Sequence, residues 1–306
     1  MYDPEKQGGD FGLPYKTLHE AASTPPGFFR DFKILQPELA MQKVFTLKNT
    51  PPEYLIFLYD FDKCFTREDG SIYQRISRRL PPEGRLDSDR DRLACLALER
   101  AGLLSDLARE AWTDREIDRY AQYGLTLGDI QLAMTGQDRL RPGAQRVVKS
   151  GLAVGARRIG FISQGLEDAM KCTDLPWENT SLEIRSNRLL YDARGRILGR
   201  SGDIQVNGNN KDQYALELLE ASGIPPDKCM AIVMGDSFHD ANMMPEGKLP
   251  FGQVLRVCVP PHPDVDQEFL HKALTPKATQ YPPYDMVLAG TESLDSVAEM
   301  IEWAAV

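Results

Sequence analysis

Residues 54–66 read YLIFLYDFDKCFT, and the break in the middle of that string decides the fold. The run from Tyr54 to Tyr59 is continuously apolar and rich in aromatic and branched side chains, which predicts a strand covered on both faces. It stops abruptly at Asp60-Phe61-Asp62. Two carboxylates at a strand end, where water is scarce, are awkward for folding alone. Similar apolar runs recur at 158–162 (RIGFI), 230–234 (MAIVM), 254–259 (VLRVCV) and 286–288 (MVL). Helical patterns separate most of them. Pro142-Gly143 opens a stretch with Val147, Val148 and Leu152 on one face, closed by Gly155. Residues 211–221 place Tyr214, Ala215, Leu218 and Leu219 on one face and stop at Gly223. Residues 292–304 form another amphipathic stretch. Strands alternating with helices predict an α/β fold with a central parallel sheet flanked by helices.

Between Glu68 and Asp138 the strand signal disappears. Residues 90–101 are helical in pattern, Thr113-x-x-Glu116 resembles a capping box opening a helix toward Gly124, and 129–134 suggests another short helix. We read 69–138 as a small helical domain inserted into a core made of 51–68 and 139–306. The pieces 182–184 (LEI) and 189–191 (LLY) read as a hairpin or paired edge strands. Residues 1–50 are polar and broken by Gly8-Gly9, Pro14, Pro25-Pro26 and Pro37, which predicts an extended arm over the core. Phe28, Phe29 and Phe32 within it could instead dock on a second subunit, so a homodimer stays open.

The chain has 306 residues, 42% hydrophobic and 26% charged, with a formal net charge of -9. That balance suits a folded protein with a substantial core. The negative charge argues against nucleic acid or an anionic membrane as the main partner, yet a small phosphate ester needs only a local cation. Five cysteines without a C-x-x-C pair argue against a disulfide scaffold or a zinc site. With no secretory pattern and no apolar run of membrane-spanning length, the expected setting is soluble and cytoplasmic.

Four places carry candidate chemistry, each just beyond an inferred strand or at an inferred helix start, where ligands of open parallel sheets bind. At the first, an isolated Asp-x-Asp is more often a solvated turn, but it also supplies a nucleophile (Asp60) beside an acid/base (Asp62). The second is Gly235-Asp236-Ser237-Phe238-His239-Asp240. Read alone it is an Asp-capped turn or, with Asp60, a set of hard oxygen ligands for magnesium. The third is Ser163, followed by Gln164-Gly165, a plain helix N-cap or a hydroxyl and backbone N–H groups for phosphate oxygens. The fourth is Lys211, whose charge opposes the helix dipole in a first turn: an ordinary surface lysine, or a functional cation that breaks a local rule.

In this order the four places resemble the motifs of the haloacid dehalogenase-like superfamily, and within it the phosphoserine-phosphatase-like branch. Residues 60–66 (DFDKCFT) resemble the first motif, Ser163 the second, Lys211 the third and 235–240 (GDSFHD) the fourth; 140–143 (LRPG) precedes the second motif as this branch often has it. The resemblance implies a Rossmann-like core with an inserted C1-type helical cap and a Mg²⁺-dependent phosphatase acting through an aspartyl-phosphate. It implies that Asp60 attacks phosphorus and binds the metal, and that Asp62 is the acid/base, its carbonyl also on the metal. Ser163, with Gln164 and Gly165, and Lys211 would hold phosphoryl oxygens. Asp236 would bind the metal and Asp240 support its waters or Lys211. Residues 67–70 (REDG) resemble a substrate-binding stretch of phosphoserine phosphatases, which brings in Glu68 and Asp69. Cys64 stands where the family usually has threonine, and His239 where asparagine is common; neither is expected to be catalytic. The expected partner is a small phosphorylated metabolite. The rivals are a phosphotransferase or mutase on the same core, and an inert binding protein that keeps the fold.

Overall fold

The computed structural model describes residues 26–304 except 68–70, 102, 104, 136–138, 246, 251 and 276–282. Among the described residues nine strands run in chain order: β1 (Phe32–Lys33), β2 (Leu55–Tyr59), β3 (Arg158–Leu166), β4 (Leu182–Asn187), β5 (Leu189–Tyr191), β6 (Ile197–Arg200), β7 (Met230–Gly235), β8 (Val254–Cys258) and β9 (Met286–Leu288). The main sheet has the order β1-β9-β8-β7-β2-β3-β4. All its pairs are parallel except β1 on β9.

The helices are α1 (Pro37–Asn49), α2 (Ile72–Ser77), α3 (Pro82–Arg100), α4 (Asp106–Gln122), α5 (Leu127–Met134), α6 (Ala144–Ala153), α7 (Glu167–Lys171), α8 (Lys211–Ser222), α9 (Gln267–Leu274) and α10 (Asp295–Ala304). Every side chain of β2 is buried, and the two-residue period of a strand sorts them by face. Phe57 and Tyr59 join the large cluster with Val147, Val148 and Val297, under α6 and α10. Ile56 and Leu58 join Ala215, Leu218 and Leu219 of α8 on the other face. Gly160 in β3 lets α8 approach closely, because a Cβ there would lie 2.4 Å from Leu218 Cδ1.

The register brings the site together. Tyr59 of β2 pairs with Phe161 on one side and Met234 on the other. Asp60, Ser163 and Asp236 therefore all emerge at the carboxyl edge of three adjacent central strands, at the place where ligands of such sheets bind.

Several expectations change. Residues 27–49 are not an extended arm. Gly27–Asp31 forms a 3₁₀ turn, β1 closes the sheet edge, and α1 packs on α10 and β8. Phe28 and Phe29 are buried within the same chain, with Phe28 and Phe45 edge-on to Trp303. Residues 1–25 lie outside the described residues. Thr113 and Glu116 do not open a helix: both lie inside α4, whose N-cap is Ser105. Glu116 is buried and accepts from Ser77, Ser88 and Arg119. The capping box sits instead at Thr126 and Asp129, opening α5. The segment at 182–184 and that at 189–191 do not pair with each other. β4 extends the parallel sheet beside β3, and β5 pairs antiparallel with β6. Helices α2–α5 fill the stretch between β2 and β3, and α4 packs against β6. Among the described residues no helix is long and apolar enough to cross a membrane.

Candidate active site

Asp60 continues the β2–β7 ladder, its N–H donating to the Met234 carbonyl at 2.8 Å. The chain then turns sharply. Phe65 and Thr66 N–H groups both donate to the Phe61 carbonyl, and Lys63 adopts a left-handed φ of 62°. The Lys63 N–H donates to Thr66 Oγ1 at 2.7 Å, and that hydroxyl lies 3.4 Å from Asp62 Oδ1. Asp62 Oδ1 also accepts from the N–H of Ile72, the first residue of α2, at 3.0 Å. The first motif is thereby tied to the helical layer that follows it. Thr66, which sequence reasoning passed over, braces Asp62; the buried Cys64 does not carry that contact. Burial pushes the Cys64 thiol well up, with Asp60 adding to the rise, so it is a packing residue.

Lys211 begins α8 and is buried among carboxylates. Its ammonium donates to Asp60 Oδ1 at 2.6 Å and to Asp240 Oδ1 at 2.5 Å. Burial works to depress the Lys211 pKa, but the charges of Asp240 and Asp60 outweigh it and hold the ammonium above its ordinary value. The unfavourable first-turn placement noted in the sequence is thus offset by two direct ion pairs. Asp240 also accepts through Oδ2 from the Ser237 N–H at 2.9 Å and hydroxyl at 2.7 Å, fixing the fourth-motif loop. The Ser237 carbonyl accepts from the Tyr284 hydroxyl, and the Arg256 guanidinium donates to the carbonyls of Ala241 and Met244 at 3.0 and 2.7 Å. These supports come from β8 and the segment before β9, far along the chain. No local sequence signal marks them.

Asp60, Asp236 and Asp240 each offer a carboxylate oxygen, all within 4.8 Å of one another. Asp60 and Asp240 are buried and Asp236 is partly open. Asp60 and Asp240 share the Lys211 ammonium, and the excess of carboxylate shows in Asp60 and Asp236. Burial, opposed by Lys211 and reinforced by Asp240, pushes Asp60 up to about 7. Burial and the neighbouring carboxylates Asp240 and Asp60 push Asp236 well up. Burial also raises Asp62, against the pull of Lys63. A compact set of hard oxygens with excess negative charge fits a divalent cation such as magnesium. Asp60 and Asp236 could hold it, since both oxygens of Asp240 are already committed to Lys211 and Ser237.

Ser163 is fully buried, and its Oγ accepts from the Gly165 N–H at 3.2 Å. It does not sit at a helix start. β3 continues to Leu166 with a register shift between Ser163 and Leu166, and α7 opens only at Glu167. The segment is held from three sides. The Gln164 carbonyl accepts from Tyr73 Oη at 3.0 Å and Asn187 Nδ2 at 2.7 Å, and Gln164 Nε2 donates to Thr113 Oγ1 at 3.1 Å. Ser186 Oγ donates to the Gly165 carbonyl at 2.9 Å. Glu68 and Asp69 lie outside the described residues.

Gly235 gives a direct test of this packing. A Cβ at that position would fall 2.1 Å from the Asp240 Cβ, so only glycine lets the loop bring Asp240 back over the strand end. Gly235→Ala should displace Asp240 and cost about 1–3 kcal/mol of stability, measured by urea unfolding, together with most activity. An unchanged unfolding midpoint would show that the loop relaxes freely.

These features define a haloacid dehalogenase-like fold: a parallel core sheet, an insert after its first central strand, and an Asp-Ser-Lys-Asp order around the strand ends. Solved structures bear this out. Cytosolic 5'-nucleotidase IIIB bound to cytidine is similar at a TM-score of 0.70 and 16% identity, over 94% of this chain and 98% of that one. A probable phosphoserine phosphatase from Vibrio cholerae is similar at 0.52 and 14%, over 84% and 67%. A HAD-family hydrolase from Salmonella enterica serovar Typhi is similar at 0.51 and 18%, over 69% and 64%. No family model and no curated protein matches the sequence.

Proposed function

We propose that this chain is a magnesium-dependent phosphatase that hydrolyses a small phosphate monoester through a phosphoryl group carried on Asp60. The observation that carries the reading is the buried Asp60–Lys211–Asp240 arrangement with Asp236 beside it. Such charge density is costly for folding alone and suits a site built to receive a metal and a phosphoryl group. When bound between Asp60 and Asp236, with the Asp62 carbonyl as a further oxygen, the cation would neutralise charge on the transferring phosphoryl oxygens.

The chain's own residues do the rest. Asp60 is the nucleophile. Asp62, whose pKa burial raises, gives the leaving oxygen its proton, then takes one from the water that releases phosphate. Ser163, with the Gln164 and Gly165 backbone, and Lys211 hold the non-bridging oxygens. Asp240 keeps the Lys211 ammonium aimed at them. The helices between β2 and β3 act as a cap that selects the leaving group. Nucleoside monophosphates belong in the first substrate panel, because a fold neighbour is a 5'-nucleotidase; phosphoserine belongs beside them. A phosphomonoester panel, run with and without Mg²⁺, tests the proposal. Released phosphate that depends on the metal supports it, and turnover undiminished by excess EDTA refutes the metal assignment.

The raised Asp60 pKa adds a pH signature with a definite sign. The metal-free folded protein keeps a proton on Asp60 up to about pH 7, whereas the unfolded chain releases it near the ordinary 3.8. This contribution to stability is therefore present at low pH and lost as pH rises through about 7. A cation that binds ionised Asp60 opposes the loss. The Mg²⁺-induced rise in Tm should be larger at about pH 8 than at about pH 6. An equal or smaller rise at the higher pH would contradict the ligand role of Asp60.

A further inference from the structure

β3 and β4 pair in register as far as Ser163 and Ser186, and the pairing then jumps to Leu166 and Asn187. Gln164 and Gly165 therefore have no counterpart on β4 and bulge from the sheet, a device common beside active sites. Both of their carbonyls are tied back to β4. Ser186 Oγ donates to that of Gly165 at 2.9 Å, and Asn187 Nδ2 to that of Gln164 at 2.7 Å. A trans peptide points its C=O and its N–H in opposite directions. With the Gln164 carbonyl held toward Asn187, the Gly165 N–H is turned the other way, where it donates to Ser163 Oγ at 3.2 Å.

Asn187 also reaches the segment that leads to Lys211. Its Nδ2 donates to the Val206 carbonyl and its Oδ1 accepts from the Val206 N–H, both at 3.2 Å. From there the connection is short. The Asn207 N–H donates to Asn210 Oδ1 at 2.8 Å, and Asn210 Nδ2 donates to the Gln205 carbonyl at 2.7 Å; Asn210 immediately precedes Lys211. Asn187 is fully buried, and its amide supplies in one group an acceptor for an N–H and donors for two carbonyls. A flipped amide would set its oxygen against both carbonyls, so these partners fix its orientation. Tyr73 Oη donates to the Gln164 carbonyl as well, at 3.0 Å, but from α2 in the inserted helices. Three hydrogen bonds to a buried amide would serve stability anywhere. What sets Asn187 apart is that its partners belong to the two segments presenting Ser163 and Lys211.

We propose that Asn187 is a positioning residue, which fixes the spacing between the Ser163–Gly165 bulge and Lys211 without touching the phosphoryl group. This role rests on the reading of Ser163 and Lys211 as phosphoryl-binding groups. The metal carboxylates Asp60 and Asp236 follow β2 and β7, which pair with each other and not with β4. Asn187 therefore governs how the oxyanion is gripped far more than how the cation is held.

The test measures calorimetric binding of tungstate, an oxyanion with no group to transfer, to the full chain in saturating Mg²⁺. Hydrogen exchange of the peptides covering 164–166 and 205–210 is read beside it. Asn187→Ala should lower tungstate affinity at least about tenfold, speed exchange in both peptides, and change Mg²⁺ affinity far less. Asn187→Ser is the milder change and should shift the same readouts in the same direction, so the test stands even where the alanine variant fails to fold. Val147→Ala, which removes core volume beneath α6, should lower the Tm and keep the parent tungstate affinity. Parent affinity in the Asn187 variants, unaltered exchange at 205–210, or an equal loss of affinity in Val147→Ala would each overturn the positioning role. A parent protein that binds no tungstate would instead overturn the phosphoryl-site reading, and this role with it.

Discussion

Asp60→Asn should lower turnover by roughly 10⁶-fold, the scale on which covalent catalysis fails when its nucleophile is removed. The loss should come without loss of the fold. Asparagine keeps the size of the side chain and its acceptor oxygen for Lys211, and Lys211 retains its 2.5 Å contact with Asp240. In the metal-free protein the substitution also removes a carboxylate that burial holds at a raised pKa, so the metal-free Tm above neutral pH should be equal or higher. Steady-state kinetics and thermal unfolding on one preparation, checked for deamidation, measure both. Inactivity with a collapsed Tm would make Asp60 a structural ion-pair partner. Full turnover would overturn the site.

Asp62→Asn should behave differently. The nucleophile remains, so the protein can still be phosphorylated, but the proton-transfer steps lose about 10²–10⁴-fold. The split should depend on the leaving group. An activated ester needs little protonation of its departing oxygen, so attack by Asp60 proceeds while water attack on the phosphorylated protein stalls. An ordinary alkyl ester should be slow in both steps. The ratio of phosphorylation rates for the two esters, read as kcat/KM, should therefore rise in the variant. A ratio equal to that of the parent would assign Asp62 to positioning, which its contacts to Thr66 and Ile72 also permit.

The strands were legible because burial on both faces leaves little choice of residue: the apolar runs at 54–59, 158–162 and 230–234 all became central parallel strands. The charged residues that broke local rules were legible for the opposite reason. Lys211 opposes the dipole of its own helix and the aspartates follow apolar strands where water is scarce, and the fold brings Lys211, Asp60 and Asp240 into contact. Where local chemistry was ambiguous, tertiary packing decided. Pro37 looked like a breaker but is the first residue of α1, the position a helix tolerates best. Thr113 and Glu116 had capping-box spacing, yet Glu116 is needed inside α4 to meet Ser77 and Ser88. The pieces 182–184 and 189–191 looked alike, but β4 pairs with β3 and β5 with β6. Thr66, Arg256 and Tyr284 act through turns and backbone carbonyls, for which a sequence carries no pattern.

The central claim is that the phosphoryl group passes through Asp60, and one measurement addresses it directly. Asp62→Asn protein is mixed with an activated phosphate ester and Mg²⁺, quenched in acid within the first turnovers, digested, and read by mass spectrometry. The account predicts one phosphoryl group on the peptide containing residue 60, specifically on Asp60, and none when Asp60→Asn is combined with it. A phosphoryl group on Ser163, Cys64 or His239, or sustained turnover with Asp60 never labelled, would contradict it.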